Sequence, residues 1–514
     1  MTKRILALLF AALLLVSSML LVACGDKDTG GRGDRTEGGE TTMDPAEASK
    51  LKEMEDFFAT YTPEDTAETY TYDIKEGDYD YGGHEFKFLN ANPIYFMYLF
   101  LDPDMTGDIL DDTCYERNYE VETLFNITIT EETQHNDGLA AYAKTLIYAD
   151  EDVYDAMYIP ANHVTPLVSE NLFYDLLEVE ELHIDRIWWD QPLISRNTIE
   201  DRLFFATSDL HLMAFEGIWL MYFNEDMMKS LGLEEPYELA LNQGWTWEEF
   251  TKYCAAAASL NGDASFVFDV NGNSTYGMVD FGNAIYTAYG LGLEMATRDD
   301  SGRYQFTAES NPHFLSGWEN LINFYGKDDG LSVICKAQDL DPDGYFTTFM
   351  EDRALFLHAE LKGATMLREW EGNFGILPQP KYDAEQEDYN SQVLAGCLSF
   401  CIPTTNTNLE RTGRIVDYLT YRSYTSLLPR YYDIHVSLKA LGRQESKDVL
   451  KIIRGTRGLD ASNPFGWTSD LYSSLQTLAV EGNLALASTI ETYRNQCIAN
   501  IENTYKTYPA LNHN

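Results

Sequence analysis

Between residues 84 and 160 the apolar pattern changes period repeatedly, and that alternation constrains the fold more than any other feature of the chain. HEFKFLN alternates at Phe86 and Phe88, a helical stretch runs through Thr113–Phe125, and ITIT alternates again at Ile127 and Ile129. Next come GLAAYAKTLIYA, with Leu139, Tyr142, Ala143 and Leu146 on one helical face, and the strand-like VYDAMYIP, ending at Pro160. Strand, helix, strand, helix, strand in this order predicts an open α/β sheet with helices on its faces. Ligands of such sheets bind beyond the carboxyl ends of the strands, so Asn90, Ala91 and Asn92, with Tyr95 and Phe96 in the loop that follows, are candidate site residues. The loop after Ile159 is another.

The chain has 514 residues, too many for one core, so at least two globular units are expected. A second unit is marked by IWLMYFNEDMMKSLGL, where a strand ends at Phe223 and Asn224 can cap a helix stopped by Gly232. In GWTWEEFTKYC, Thr246 and Glu249 have capping-box spacing and Trp245 and Phe250 have staple spacing. These two tryptophans, Trp245 and Trp247, are therefore expected to be structural.

The N-terminus reads as an export signal. Lys3 and Arg4 precede an uncharged stretch from Ile5 to Ala23, which ends in Leu21-Val22-Ala23-Cys24-Gly25. That ending resembles the bacterial lipobox, and the resemblance implies cleavage before Cys24 and lipid attachment to its thiol. Residues 1–23 would be the signal peptide and 24–48, rich in Gly, Asp, Glu and Thr, a flexible tether. Residues 49–82 mix a short amphipathic helix with a Tyr-rich acidic segment. The alternative, an uncleaved membrane anchor, leaves the bulk of the protein on the same side, because no later apolar run is long enough to cross a bilayer.

A net charge of −47, from 83 acidic and 36 basic residues, with no clustered basic run, excludes nucleic acid as a partner. The same charge disfavours phosphate- or sulfate-bearing ligands unless an arginine such as Arg117 or Arg298 faces them. Cys397 and Cys401 lie on one strand about 13 Å apart, beyond disulfide reach, and no second Cys or His pair follows at metal-site spacing. DVNGNSTYGMVD, Asp269–Asp280, partly follows a calcium loop, but Ser274 stands where the turn needs Gly and Asp280 where a bidentate Glu is usual, which favours a plain turn. No metal and no cofactor is expected.

The string YFNEDMMKSLGLEEPYELALNQGWTWEEFTKYC, then YFTTFMEDRALFLHAELKGATMLREWEGNFGILPQPK, and the closing helices from GRIVDYLTYRSY onward resemble the family 1 extracellular solute-binding proteins of ABC importers. The likeness spreads over most of residues 83–508, and Asp352 stands where that family usually has Gly. It implies an α/β, two-lobed periplasmic-binding-protein-like (type II) fold with a ligand cleft between the lobes. One lobe would hold residues 83–205 and 362–425 and the other 206–361 and 426–508, with crossings near Asp201–Leu210, Glu360–Lys362 and Tyr424–Pro429. It also implies a non-enzymatic, monomeric protein on the outer face of the cell membrane. Such a protein captures a neutral mono- or oligosaccharide and delivers it to an ABC permease.

Sugar sites pair aromatic platforms with planar polar groups. Candidates of this kind are Trp219, Trp370 and Trp467, with Trp188 and Trp189 equally suited to packing a lobe edge. His358 and Glu360, two apart on an apparent strand, share a face near the second expected crossing and are candidate ligand hydrogen-bonding groups, with an inter-lobe hydrogen bond as the alternative. Gly-x-Ser-x-Gly, a phosphate-binding Gly-rich loop and His-Glu-x-x-His are all missing from the sequence. An anchored glycan-degrading enzyme is the alternative reading.

Overall fold

The computed structural model describes residues 72–92, 109–335, 344–368, 370–431 and 443–511. The lipobox with Cys24, the tether, and Tyr95 with Phe96 lie outside them. Among the described residues no helix is long and apolar enough to cross a membrane.

Two sheets organise the chain. In the first, β1 (His84–Asn92) pairs parallel with β2 (Ile127–His135) and β3 (Ala156–Pro160). Parallel neighbours require crossover connections, supplied here by helices α1 (Ile109–Phe125) and α2 (Asn136–Tyr148); α3 (Ala161–Ser169) follows β3 directly. Phe86 and Phe88 of β1 are fully buried with Val121 and Phe125 of α1 and Leu139 and Ala143 of α2, which are the faces the periodicity marks.

The second sheet is mixed. It begins with β4 (Trp219–Asn224), buried along its whole length and leading into α4 (Glu225–Leu231). Asn224 Oδ1 accepts the Met227 amide at 2.8 Å, and Gly232 closes the helix in the left-handed conformation at φ 67°. Helix α5 (Trp247–Ala257) opens on Thr246, whose hydroxyl accepts the Glu249 amide at 3.4 Å, and the Trp245 and Phe250 rings meet at 5.9 Å. Strand β5 (Tyr276–Asp280) leads to α6 (Ala284–Gly290), the hairpin β6 (Ala296–Arg298) and β7 (Tyr304–Phe306), and α7 (Phe314–Gly326). Strands β8 (Ser332–Ile334), β9 (Ala354–Glu360) and β10 (Phe374–Leu377) complete a sheet of order β10-β4-β9-β5-β8. Within it β5, β8 and β9 are parallel, and β4 is antiparallel to both β9 and β10.

After β10 the chain returns through β11 (Ser391–Gln392) to β12 (Leu398–Cys401), which pairs antiparallel with β3 at the edge of the first sheet. The second crossing is therefore at residues 391–397, not at Glu360–Lys362. The physical reason is β10: all four residues are buried and hydrogen-bonded to β4, so 362–377 belongs with the second sheet. An apolar strand of this kind reads the same in sequence whichever sheet it joins.

The third passage follows α8 (Leu409–Arg422), through a π-helical turn at Ser423–Leu427, where Tyr424 packs against both cores. Beyond it the tail is shared, not confined to the second lobe. After β13 (Arg457–Gly458), helix α9 (Ser469–Glu481) lies on α7, while Ile501 and Tyr505 of α10 (Leu486–Thr507) and the following Tyr508 sit in the first core.

The Tyr-rich lead-in clasps the first lobe. The Tyr79 ring lies 4.0 Å from the Arg414 guanidinium, Tyr81 accepts from the same arginine at 2.8 Å, and the Tyr72 hydroxyl donates to Asp417 on α8.

Candidate ligand cleft

The parallel strands of the first sheet end at Asn92, His135 and Pro160. In the second, β5, β8 and β9 end at Asp280, Ile334 and Glu360. Antiparallel β4 starts at that same edge, because Trp219 pairs in register with Glu360. The two edges are brought together by the crossing segments. Ile218 bridges Val393, the Leu394 amide donates to the Gly217 carbonyl at 2.8 Å, and the Ala161 amide at the start of α3 donates to the Cys397 carbonyl at 2.9 Å.

Trp219 is 3% exposed, and its ring lies 4.6 Å from Tyr286 and 4.8 Å from His358. Its Nε1 is buried and makes no hydrogen bond. Tyr286, on α6, is tied to the Tyr472 hydroxyl and to the Ala395 amide of the second crossing; burial drives its hydroxyl pKa well up. Glu360 is 8% exposed, and its charge acts on both Tyr286 and Lys362. An aromatic pair, an indole N–H and a carboxylate thus meet at the C-terminal edge of the second sheet. Tyr286 could not be singled out from the sequence because it is one of 34 tyrosines in the chain and carries no motif of its own.

His358 shares the face of Glu360, as the two-residue spacing requires, but lies beneath it. It is fully buried, with Nδ1 3.0 Å from Asp280 Oδ2 and Nε2 3.3 Å from Gln379 Nε2. Asp280 also accepts the Tyr325 hydroxyl at 2.9 Å, the Asn283 amide at 3.3 Å and the Gly282 amide, so it holds the turn that launches α6. In this arrangement His358 supports the aromatic wall and does not reach the opening.

The other candidates separate. Asn92 is exposed at the end of β1, on the cleft edge of the first sheet. Trp370 lies against Phe349, with ring centroids 5.4 Å apart, and against Phe374, the first residue of β10, which places it at the opposite end of the sheet. Trp467 is buried in the first core, donates Nε1–H to Thr504 Oγ1 at 2.8 Å and stacks on Phe465 at 4.7 Å. Both indoles of Trp188 and Trp189 donate to Asp417, at 3.0 and 2.8 Å, so this pair packs the lobe. Arg117 is buried and donates to Ser423 Oγ at 2.7 Å, while Arg298 donates to the carbonyls of Ser195 and Thr198.

The calcium-like stretch is split by the fold. Asp280 is taken up by β5 and bonded to Tyr325, while Asp263 accepts the Asn273 and Ser274 amides and Arg353 holds the Asp269 carbonyl at 2.8 Å. Among the described residues no cluster of His, Cys, Asp or Glu could hold a metal ion. Cys397 and Cys401 are free and buried. A groove of about 460 Å3 lies away from the cleft, between α9 and α10, but its threonines Thr477, Thr489 and Thr492 donate to carbonyls of their own helices.

No known sequence family and no characterised protein sequence matches the chain. Its fold is nevertheless that of the two-lobed, type II solute-binding proteins. A cyclic α-maltosyl-1,6-maltose binding protein of Arthrobacter globiformis superposes with a TM-score of 0.55 at 12% identity, over 82% of this chain and 100% of its own. A sugar transporter of Rhizobium etli in an open conformation gives 0.54 at 12%, over 81% and 99%. An ABC substrate-binding protein of Listeria monocytogenes in complex with cycloalternan gives 0.52 at 11%, over 80% and 98%.

Proposed function

We propose that this protein is an extracellular solute-binding lipoprotein, lipid-anchored through Cys24, that captures a neutral saccharide and delivers it as a monomer to an ABC permease. The observation that carries the reading is the wall formed by Trp219, Tyr286 and Glu360 at the strand ends of a two-lobed fold. The paired, mutually tilted rings of Trp219 and Tyr286 offer the apolar face a pyranose needs, and a buried indole N–H with a neighbouring carboxylate offers a donor and an acceptor to its hydroxyls. The similar structures named above as sugar binders support the ligand class. Asn92 would contribute from the first lobe, and binding would shift an equilibrium between lobe arrangements towards the one that docks on the permease.

A thermal-shift screen against mono- and oligosaccharides, with product analysis of the same samples, tests it. Saturable stabilisation by an unchanged sugar supports binding, with a size that follows occupancy. Cleaved sugar would instead establish the glycan-degrading alternative. Trp219→Ala and Tyr286→Ala are each expected to weaken a sugar found this way by about tenfold or more, ~1.4 kcal/mol, in isothermal titration, while Trp370→Ala leaves its affinity unchanged.

A further inference from the structure

We propose that Glu216 is a proton-operated latch between the crossing segments, setting the arrangement of the two lobes and hence the readiness of the cleft. The inference concerns regulation of the cleft described above and rests on its being a binding site, but its test needs no ligand. The first passage between the cores falls at residues 212–218, just past the expected Asp201–Leu210: Leu210 and Met213 pack in the first core and Ala214, Phe215 and Ile218 in the second. Glu216, in the short helix Met213–Glu216 on this passage, has no exposed surface. Its carbonyl accepts the Lys362 amide at 3.1 Å, its neighbour Gly217 accepts the Leu394 amide of the second crossing at 2.8 Å, and Ile218 accepts the Leu361 amide at 2.8 Å. The Glu216 carboxyl faces Lys362 Nζ at 3.8 Å from the segment after β9, and the Tyr431 hydroxyl from beyond the third crossing. The side chain thus meets groups from two other stretches of chain, and the carbonyl of Gly217 beside it meets a third, at the place where the chain passes between the two cores.

Among the described residues the charges that act on it are few. Lys362 is the cation that faces it, and Glu360 acts on that same lysine. On its own segment, Asp209 is turned towards Arg454 and Arg457, and His211 Nδ1 accepts the Met213 amide. Neither carboxylate oxygen of Glu216 makes a well-formed hydrogen bond, so the ionised form is poorly solvated here. Burial raises its pKa to about 7, with Lys362 opposing. An arrangement that admits water to Glu216 restores its ordinary value and gains as the proton leaves. The arrangement in the structure is therefore the protonated one, favoured towards pH 5, and it yields to a hydrated alternative as the pH rises through neutrality.

The test is an inter-lobe distance on the full chain, by pulsed electron resonance between nitroxides at Leu177→Cys in the first lobe and Leu231→Cys in the second, both exposed positions. The distance distribution is expected to change between pH 5 and pH 8.5, and Glu216→Gln to hold the low-pH distribution throughout. Lys362→Met, which removes the opposing cation, should move the midpoint up by about one pH unit; it decides the matter if the glutamine variant does not fold. A distribution independent of pH, or a glutamine variant that follows the unmodified protein, or an unmoved midpoint in Lys362→Met, would overturn the latch. A pH-dependent distance in a chain that stabilises with no sugar would leave the latch standing and remove the saccharide reading.

Discussion

At the residue scale the wall of the cleft depends on groups that a ligand never touches. His358 lies between Asp280 and Gln379, and Asp280 fixes both the turn into α6 and the hydroxyl of Tyr325. Removing the imidazole leaves a carboxylate with no exposed surface short of one donor, a change that typically costs about 1–3 kcal/mol. His358→Ala is therefore expected to lower unfolding stability in urea by about 2–3 kcal/mol. His358→Asn, which keeps a donor towards Asp280, should recover part of that loss. If His358 bound the sugar directly, stability would hold and affinity alone would fall. The sequence placed His358 and Glu360 on one face correctly, since a strand's period of two decides that. It could not tell which of the two lies under the sheet edge, because depth along a strand is set by the helices packed over it.

At the scale of elements, the readable features are those written in local chemistry. The first three strands and two helices, the Asn224 and Thr246 caps and the Gly232 stop all follow from patterns within a few residues of each other. The partnering of β10 and the second crossing depend on contacts more than a hundred residues apart, between Phe374–Leu377 and Met221–Asn224, for which the sequence carries no local signal. The same non-local logic governs Gly217. A β-carbon there would stand 3.0 Å from both Leu394 Cβ and the Met213 carbonyl oxygen, at the point where the first two crossings touch. The backbone contact cannot give way as a flexible side-chain tip would. Gly217→Ala is expected to destabilise the protein by about 1–2 kcal/mol through overpacking, read as a lower urea midpoint, whereas Gly396→Ala, on the same crossing segments but with open space around it, should be nearly neutral.

For the molecule as a whole, acidity is a property of the interior as well as the surface. Burial raises the carboxyl pKa of Glu131, Asp209 and Glu216 to about 7, with the Asn90 amide opposing at Glu131, arginines at Asp209 and Lys362 at Glu216. Each lies above the unfolded value of about 4, so the folded chain holds protons that the unfolded chain has released. The stability they contribute is complete below pH ~4 and is lost as the pH climbs through ~7. Self-repulsion from a net charge of −47 acts in the same direction as the surface ionises. Opposing both, Glu132 is held down to about 2 by hydrogen bonds from Tyr154 and Lys87, and its contribution fails only in strong acid. The melting temperature is therefore expected to rise between pH 8 and pH 5 and to fall again only below about pH 4, measured by differential scanning calorimetry. The two causes separate on adding salt. Screening at 0.5 M should flatten the part due to surface repulsion, since the Debye length then shrinks to a few ångströms, and leave the part due to the three buried carboxyls. A melting temperature that salt makes wholly independent of pH would assign the effect to the surface alone.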